Sequence, residues 1–195
     1  MTPLTPPTAD PAAAVARFAA TAPADVAYAF VDSPVGTLVA ARTERGLACL
    51  AYEDLGGGAD PLLERLATEV SPRVLHAPAR LDDVRRELDE YFAGSRTAFD
   101  LPLDFALMKP FARKILAVTA RIPFGVTSTY GEVAAEAGSP GAGRAAGGAL
   151  GSNPIPIVVP CHRVVARNGT LHGYTGGLHR KQRLLELEGV LTRSM

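Results

Sequence analysis

Prolines constrain one stretch of this sequence more tightly than the rest, residues 153–165, which read N-P-I-P-I-V-V-P-C-H-R-V-V. Each proline fixes its own backbone angle and restricts the residue before it to extended geometry. We therefore expect an extended, strand-like apolar segment that ends at Pro160 and presents Cys161, with His162 and Arg163 directly behind it. The alternative is a buried structural cysteine beside a surface His and Arg, but such a thiol does not need so stiff an approach.

The charge of the chain is divided unevenly, although its 20 basic and 20 acidic side chains balance. The first half, residues 1–108, holds nine arginines and no lysine against sixteen acidic residues. The second half, residues 109–195, holds eleven basic residues against four acidic ones. A basic half suits a polyanion such as nucleic acid, but a basic solvated surface has the same composition. Charge alone favours neither interpretation.

Cysteine usage and hydropathy narrow the class of protein. Cys49 and Cys161 are the only cysteines, too few for a disulfide framework or a four-thiolate metal cluster, which favours a reducing cytosol. No run approaches 18 apolar residues, and the opening M-T-P-L-T-P-P-T lacks the basic and apolar regions of a signal peptide. We expect a soluble cytoplasmic protein with no membrane partner, in which Cys49 is a core residue without chemistry.

The first half is predicted to contain an α+β domain over residues 26–107. Its three short strands are typical of a meander and are placed at residues 26–31, 37–41 and 47–52. A helix starting at Asp60, a strand at 73–76, a helix at 81–92 and an extended connector at 95–107 follow. Residues 1–25 are rich in proline, alanine and threonine and are predicted to be a disordered or loosely attached tail, in which Asp10 and Pro11 could start a short helix.

Residues 108–195 are predicted to form a mainly helical domain. An amphipathic helix around residues 111–118 precedes a short helix that Ser128 or Thr129 can cap, and a third helix covers residues 141–151. The two short helices are joined through Gly138-Ser139-Pro140, as in a helix-turn-helix. An Asn168-Gly169 hairpin turn and a last helix over residues 178–188 complete the chain.

The third helix is unusual because it contains only glycine, alanine, Leu150 and one charged residue, Arg144. Glycine inside a helix costs on the order of 1 kcal/mol relative to alanine. Gly147 and Gly148 therefore indicate a close approach of the backbone to a neighbour. That neighbour is either a nucleic-acid surface or another part of the protein, and the residues alone leave both open.

An ordered series of motifs runs through residues 111–188. They are Ile122-Pro123-Phe124-Gly125, Tyr130, Gly143-Arg144-Ala145, Gly147-Gly148, Asn153-Pro154, Pro160-Cys161-His162-Arg163-Val164 and Tyr174-Thr175-Gly176-Gly177. With them the chain resembles the O6-alkylguanine-DNA alkyltransferases, also called methylated-DNA-protein-cysteine methyltransferases. The first half matches only at Ser33-Pro34-Val35-Gly36 and Tyr91-Phe92-Ala93-Gly94, in an arrangement similar to the family's variable N-terminal domain.

The resemblance implies an α+β fold, with an antiparallel-sheet α/β domain followed by a mainly helical domain that holds a winged-helix-like helix-turn-helix. It implies direct-reversal DNA repair, in which the alkyl group of an O6-alkylguanine is transferred irreversibly to Cys161, once per molecule. The expected partner is double-stranded DNA that contains O6-alkylguanine, bound by a monomer, and no cofactor or metal is expected. The sequence does not indicate whether binding along DNA is cooperative.

The resemblance also assigns catalytic roles. Cys161 matches the alkyl acceptor, and a free thiol with a pKa near 8.5 is only a few per cent thiolate at neutral pH, so it needs a base. His162 matches the general base, which acts through a water, and Glu188 matches the carboxylate that orients the imidazole. Tyr130 matches the tyrosine that donates to N3 of the departing guanine. An acidic residue at a helix C-terminus is slightly unfavourable, which indicates that Glu188 either has another role or is a solvated terminal residue, and the resemblance supplies the role.

Binding roles follow from the same motifs. Arg144 matches the arginine that fills the gap left by a flipped-out nucleotide, and the helix that carries it enters the minor groove in this family. The other DNA-binding positions of that helix are Ala145, Gly147 and Gly148. The predicted guanine-pocket residues are Val164, Tyr174 and Thr175. Asn153 matches a structural asparagine that ties the turn before the acceptor cysteine.

Two other functions remain open at this point. A sensor that binds alkylguanine in DNA without repairing it is one, although such proteins lack the acceptor cysteine that Cys161 provides. A Cys-His hydrolase is the other, but it leaves Tyr130, Arg144 and the glycine-rich helix unexplained. Further basic residues are predicted to lie on a solvated or phosphate-facing surface: Arg167, Arg180 and Lys181.

Overall fold

A four-stranded sheet organises the first half of the protein in the computed structural model, which describes residues 24–192. The strands are β1 (Val26–Val31), β2 (Leu38–Thr43), β3 (Gly46–Tyr52) and β4 (Val74–His76), in the order β3-β2-β1-β4. The first three pair antiparallel and β4 pairs parallel with β1. The predicted meander is therefore present, whereas the predicted tail with Asp10 and Pro11 lies outside the described residues except for its last two positions.

Helices cover both faces of this sheet. Helix α1 (Ala59–Glu69) packs through Leu66 against a small cluster that contains Ala41 and Cys49, so Cys49 is a buried core residue as predicted. Helix α2 (Asp82–Phe92) follows a 3₁₀ turn and packs against the other face, within the main core. The main core continues without interruption into the second half, because Tyr91 and Leu116 belong to the same buried cluster.

The connector between the halves runs beside β3, so close to it that position 46 has room only for glycine. The backbone N–H of Leu47 donates to the Pro102 carbonyl at 2.8 Å, and the N–H of Asp104 donates to the Leu47 carbonyl at 2.8 Å. Gly46 has a φ of 137°, and a Cβ there would lie 2.2 Å from the Pro102 carbonyl oxygen. Only glycine fits this close approach, so the crossing from the first half to the second depends on it.

The second half is mainly helical, as predicted. Its helices are α3 (Pro110–Thr119), α4 (Tyr130–Glu136), α5 (Gly143–Gly151) and α6 (Leu178–Leu187), and a short parallel pair joins β5 (Ser128–Thr129) to β6 (Val164–Val165). Helices α4 and α5 form the predicted helix-turn-helix and both pack on α3. Among residues 24–192, no helix is both long and apolar enough to cross a membrane.

The approach to Cys161 differs from the expected strand. Residues 154–159 form turns, in which the N–H of Val159 donates to the Ile155 carbonyl at 2.9 Å, and Ile157 adopts a left-handed φ of 73°. The side chain of Asn153 supplies the reason, because its Oδ1 accepts from the Ile155 N–H and its Nδ2 donates to the Val159 carbonyl. A side chain can satisfy backbone groups in this way in place of a strand partner. Cys161 therefore begins a 3₁₀ turn, Cys161–Arg163.

The Asn168-Gly169 turn also forms without the predicted hairpin. The N–H of Gly169 donates to the Ala166 carbonyl at 2.9 Å and the N–H of Ala166 donates to the Thr170 carbonyl at 3.1 Å. The chain after Thr170 is not a strand, and β6 pairs with β5 instead. A turn signal in sequence fixes the local bend but not the strand that would follow it.

We predict that Thr129→Ala lowers the free energy of unfolding by about 1 kcal/mol. Thr129 forms a capping box with Glu132, in which the Thr129 hydroxyl accepts from the Glu132 N–H and the Glu132 carboxylate accepts from the Thr129 N–H. Urea denaturation of the full chain measures the loss. Thr127→Ala, at an exposed position two residues earlier, is the matched control, and an equal loss in both variants contradicts the capping role.

Candidate active site

Glu188 is the centre of a buried hydrogen-bond cluster at the end of α6. Its Oε1 atom accepts from Tyr91 Oη at 2.7 Å, His162 Nε2 at 2.9 Å and Arg163 Nη2 at 2.8 Å. Its Oε2 atom accepts from Arg163 Nε at 2.8 Å and from the Gly125 N–H at 3.3 Å. Burial alone raises the pKa of this carboxyl, but the hydrogen bonds from His162 and Arg163 oppose it and the pKa falls to about 2. Glu188 is therefore an ionised acceptor.

The ionised carboxylate fixes the tautomer of His162. Because Glu188 cannot donate, His162 Nε2 carries the proton of their hydrogen bond, and Nδ1 is left with its lone pair. Nδ1 is the one fully buried side-chain nitrogen or oxygen atom within residues 24–192 that has no hydrogen-bond partner. Burial lowers the pKa of His162, although Glu188 raises it in part. At neutral pH the imidazole is uncharged, and its free nitrogen can accept a proton.

Cys161 directly precedes His162 in the chain and is a neutral thiol. Its Sγ atom accepts a hydrogen bond from Asn153 Nδ2 at 3.1 Å, and the residue is 8% exposed. Burial raises the pKa of the Cys161 thiol to about 11, although the hydrogen bond from Asn153 and the charge of Lys181 act to lower it. The thiol is protonated at neutral pH, so it becomes a nucleophile only when a base removes its proton.

Two basic residues of α6 are buried, so their predicted place on the surface is wrong. Lys181 is fully buried, and its Nζ atom donates to the backbone carbonyls of Val164 at 2.7 Å and His172 at 3.0 Å. Arg180 reaches across to the first half, where it pairs with Asp54. Both charges were expected to be solvated because their acceptors, which are mostly backbone carbonyls, have no signature in the sequence. Arg167 is exposed, as predicted.

Five predicted residues line one cavity of about 340 Å³. They are Tyr130, Gly147, Cys161, Tyr174 and Thr175. Burial, and to a smaller extent Cys161, raises the pKa of Tyr130, so its hydroxyl remains a donor at neutral pH. The Thr175 hydroxyl donates to the Gly151 carbonyl at 2.6 Å. Val164 is fully buried and does not line this cavity, and its carbonyl binds Lys181 instead.

An open groove of about 940 Å³ adjoins the cavity and is lined by both helices of the helix-turn-helix. Arg144 is exposed in it, with Tyr130 and Gly147 along the same wall. A Cβ on Gly143 would lie 3.5 Å from the Gly131 nitrogen, and a Cβ on Gly147 would lie 3.7 Å from the Tyr130 ring. These two glycines therefore face α4.

The other face of α5 is turned to the outside. Ala145 is exposed, and so is Gly148, where a Cβ would meet nothing within 4 Å. Neither residue lines the groove. Some small residues of α5 therefore pack against the neighbouring helix, and others form a smooth outer surface.

A second cavity, of about 390 Å³, lies between the two halves. Cys161, Tyr174 and Thr175 line it as well, together with Cys49 and Leu55 of the first half. The Tyr52 and Tyr174 hydroxyls are hydrogen-bonded to each other at 2.9 Å beside it. Cys161 therefore lines two cavities, one towards the groove and one towards the first half.

Two residues of the carboxylate cluster were not predicted from the sequence: Tyr91 was not expected at the site, and Arg163 was given no role with Glu188. Tyr91 has the helical spacing of a core position, and nothing in the sequence connects it to a glutamate 97 residues away. Arg163 belongs to the cysteine motif, but its bidentate pair with Glu188 could not be foreseen. The signal for both would have been the isolated acidic residue at the end of α6, which needs donors once it is buried.

The fold and the site together define a two-domain protein in which a buried cysteine, histidine and glutamate lie next to a helix-turn-helix. Residues 110–190 match the family described as "6-O-methylguanine DNA methyltransferase, DNA binding domain", and residues 26–105 match "6-O-methylguanine DNA methyltransferase, ribonuclease-like domain". The chain belongs to the 6-O-methylguanine DNA methyltransferase family.

Relatives and solved structures agree with this placement. A "Methylated-DNA--protein-cysteine methyltransferase" of Mycolicibacterium paratuberculosis is 42% identical over 163 residues, which cover 84% of this chain and 92% of the relative. One from Salmonella typhimurium is 48% identical over 114 residues, or 58% of this chain and 65% of the relative. The crystal structure of the Mycobacterium tuberculosis O6-methylguanine methyltransferase has a TM-score of 0.72 at 38% identity, covering 84% of this chain and 92% of that one. A structure of the same bacterium's protein in complex with DNA also has a TM-score of 0.72, at 38% identity, with coverages of 83% and 92%.

We predict that Glu188→Gln costs about 3 kcal/mol of stability at neutral pH, because Arg163 is left as a buried charge without its partner. The wild-type carboxyl has a pKa of about 2 in the folded protein, below its value of about 4.3 when unfolded. Its contribution is therefore complete above about pH 4.3 and is lost as the pH falls towards 2. Urea unfolding at a series of pH values should show the wild-type advantage shrinking over that window.

The control for this prediction is Glu136→Gln, which removes an exposed carboxylate paired with Arg121. An exposed ion pair contributes little, so we expect a change of less than about 1 kcal/mol. A wild-type advantage over Glu188→Gln that stays constant through the acid window contradicts the assignment of the ionised carboxylate.

Proposed function

We propose that this protein repairs alkylated DNA directly by transferring the alkyl group of O6-alkylguanine to Cys161. One observation carries the proposal: the thiol borders the cavity that also contains Tyr130 and Thr175, and a neutral imidazole with a free nitrogen stands next to it in the chain. The names and the DNA complex of the relatives support the same activity. No cofactor is needed, because both the nucleophile and the base are side chains.

The reaction begins with a proton transfer from the thiol. His162 Nδ1 takes the proton of Cys161 through a water molecule, and the ionised Glu188 stabilises the imidazolium that forms. The sulfur then attacks the alkyl carbon, so an S–C bond forms while the bond from that carbon to guanine O6 breaks. The electron pair of the broken bond stays on the guanine. Because the product is a thioether, which is a poor leaving group, each molecule reacts once.

Tyr130 assists the departure of the guanine. Its hydroxyl stays protonated at neutral pH, because burial raises its pKa, and it donates a hydrogen bond to N3 of the base. Negative charge that develops on the guanine is thereby stabilised at the moment the C–O bond breaks. The guanine takes up a proton from solvent, which balances the proton held by His162. Tyr174 and Thr175 line the space in which the base is held, whereas Val164, which does not line it, supports this region through its carbonyl bond to Lys181.

The helix-turn-helix presents the DNA to this cavity. The target carbon is inaccessible in a stacked duplex, so the nucleotide must leave the helix, and Arg144 fills the gap that remains. The smooth surface of α5, with Ala145 and Gly148 exposed, suits the narrow minor groove. The excess of basic residues in the second half favours the phosphate backbone, and the first half, with its excess of acidic residues, does not compete for it.

The proposed arrangement has an N-terminal domain at residues 26–107 and a DNA-binding and alkyl-transfer domain at residues 108–195. We place the protein in the cytoplasm, as a monomer that acts on chromosomal DNA. The need for a reduced Cys161 supports this location, because an oxidising compartment would block the acceptor.

We predict that incubation with duplex DNA containing O6-methylguanine adds the mass of one methyl group to each protein molecule. Cys161→Ser should show no gain, whereas Cys49→Ser should gain one methyl like the wild type, since Cys49 is a buried core residue. Intact-protein mass spectrometry measures the change. If the wild type binds the DNA but gains no mass, the protein is a sensor of alkylguanine and not a repair enzyme.

We also predict that Arg144→Ala slows methyl transfer from duplex DNA roughly tenfold, because filling the gap offsets part of the few kcal/mol of unstacking. Transfer from the free base O6-methylguanine should be unchanged, since a free base needs no flipping. Single-turnover kinetics with both substrates provide the comparison, with Arg86→Ala on α2 as the control. Equal losses on both substrates argue against the proposed role.

A further inference from the structure

Tyr91 brings the first half of the protein into the active site. It lies near the end of α2, and its hydroxyl donates to Glu188 Oε1 at 2.7 Å. The same oxygen accepts the hydrogen bond from His162 Nε2 at 2.9 Å. Of the groups that hold the carboxylate, Tyr91 comes from the first half, whereas Gly125, His162 and Arg163 come from the second.

The position of the Tyr91 side chain is determined by its surroundings. The residue has no exposed surface, and its ring lies against three phenylalanine rings with centroid separations of 5.2, 5.3 and 6.1 Å, those of Phe92, Phe99 and Phe124. Burial and the adjacent Glu188 both raise the pKa of Tyr91, so the hydroxyl stays protonated and continues to donate. Because its ring is held in place and its hydroxyl always donates, Tyr91 can fix the position of Glu188 Oε1.

Tyr91 and His162 donate to the same oxygen, Glu188 Oε1, so a change at Tyr91 is felt by His162. Every donor to that oxygen withdraws electron density from it, so the hydrogen bond from Tyr91 weakens the pull of the carboxylate on the His162 proton. The other charged groups around the pair are Arg163, bound to Glu188 in two places, and Lys181, whose charge lowers the pKa of His162. Both remain in place when only the Tyr91 hydroxyl is changed.

We propose that Tyr91 is a positioning residue for alkyl transfer: by holding Glu188 Oε1, it sets the orientation and the basicity of His162. This inference rests on the proposed function of Cys161 and His162. It gives the first half a part in the chemistry that does not require contact with DNA or with the reacting atoms. A hydrogen bond that only joins the two halves would affect stability but not the pH dependence of the reaction.

The test uses two variants of the full chain, Tyr91→Phe and a protein with 3-fluorotyrosine at position 91. Tyr91→Phe removes the donor, so the carboxylate attracts the His162 proton more strongly. We expect the acid limb of the single-turnover pH–rate profile to move to higher pH and the plateau rate to fall about tenfold. Fluorination makes the hydroxyl a stronger donor with little change of shape, so the limb should move to lower pH. Rates are measured between about pH 5 and 9 on O6-methylguanine DNA.

A double-mutant cycle separates positioning from stability. In the Glu188→Gln background, Tyr91→Phe should change the rate less than twofold, because its effect passes through the carboxylate. Tyr28→Phe is the control, since this tyrosine lies on β1 and packs against Phe30 and His76 away from the cluster. Thermal denaturation of each variant checks the fold.

The proposal is overturned if both changes at position 91 leave the acid limb where it is, or if the tenfold loss persists in the Glu188→Gln background. If Tyr91→Phe does not fold, the fluorotyrosine protein alone decides, because an unmoved limb in it contradicts the proposal. Failure of the proposed function would look different: the wild type itself would gain no methyl group from the same DNA.

Discussion

The protein depends on one buried carboxylate. Glu188 accepts hydrogen bonds from a tyrosine of α2, a turn glycine and the two residues that follow Cys161, so it joins segments that are far apart in the sequence. A buried carboxylate without such donors would be too costly to keep ionised. The ionised state in turn dictates which imidazole nitrogen of His162 is free. Fold stability and acid–base chemistry are therefore properties of the same set of contacts.

Whereas the Glu188 carboxyl is ionised, the Cys161 thiol is protonated at neutral pH. Burial raises its pKa to about 11, so Cys161 rests as a neutral group whose sulfur is held by Asn153. A permanently ionised cysteine would react with oxidants and other electrophiles, whereas this one is activated only when its proton is removed. The site thus pairs a protonated thiol with an uncharged imidazole, and each condition follows from burial together with one or two specific hydrogen bonds.

The sequence predicted most of the fold because its patterns are local. The strands at residues 26–31 and 47–52 and the helix-turn-helix follow from periodicity and glycine, and capping residues narrowed the cap of α4 to Ser128 or Thr129, of which Thr129 is used. The family resemblance placed Tyr130, Tyr174 and Thr175 near Cys161, where they line the cavity, but it also placed Val164 there, and Val164 does not line it. What the sequence could not predict is which acceptor or donor an individual polar side chain meets: the backbone groups that Asn153 bonds, the carbonyls that Lys181 bonds, and the carboxylate that the Tyr91 hydroxyl bonds. Periodicity and turn residues carry no information on such side-chain contacts, whether the partner is six or 97 residues away.

Cys161 lines two cavities, and most of the other lining residues differ between them. One opens towards the helix-turn-helix, and the other lies between the halves beside Cys49 and Leu55. A small compound shaped for the second cavity would contact Cys161 without entering the open groove beside the helix-turn-helix. Such a compound would inactivate the protein while leaving its duplex-binding surface uncovered, which separates occupancy of the lesion from repair of it. Inhibition through the second cavity would therefore not depend on how the protein recognises nucleic acid.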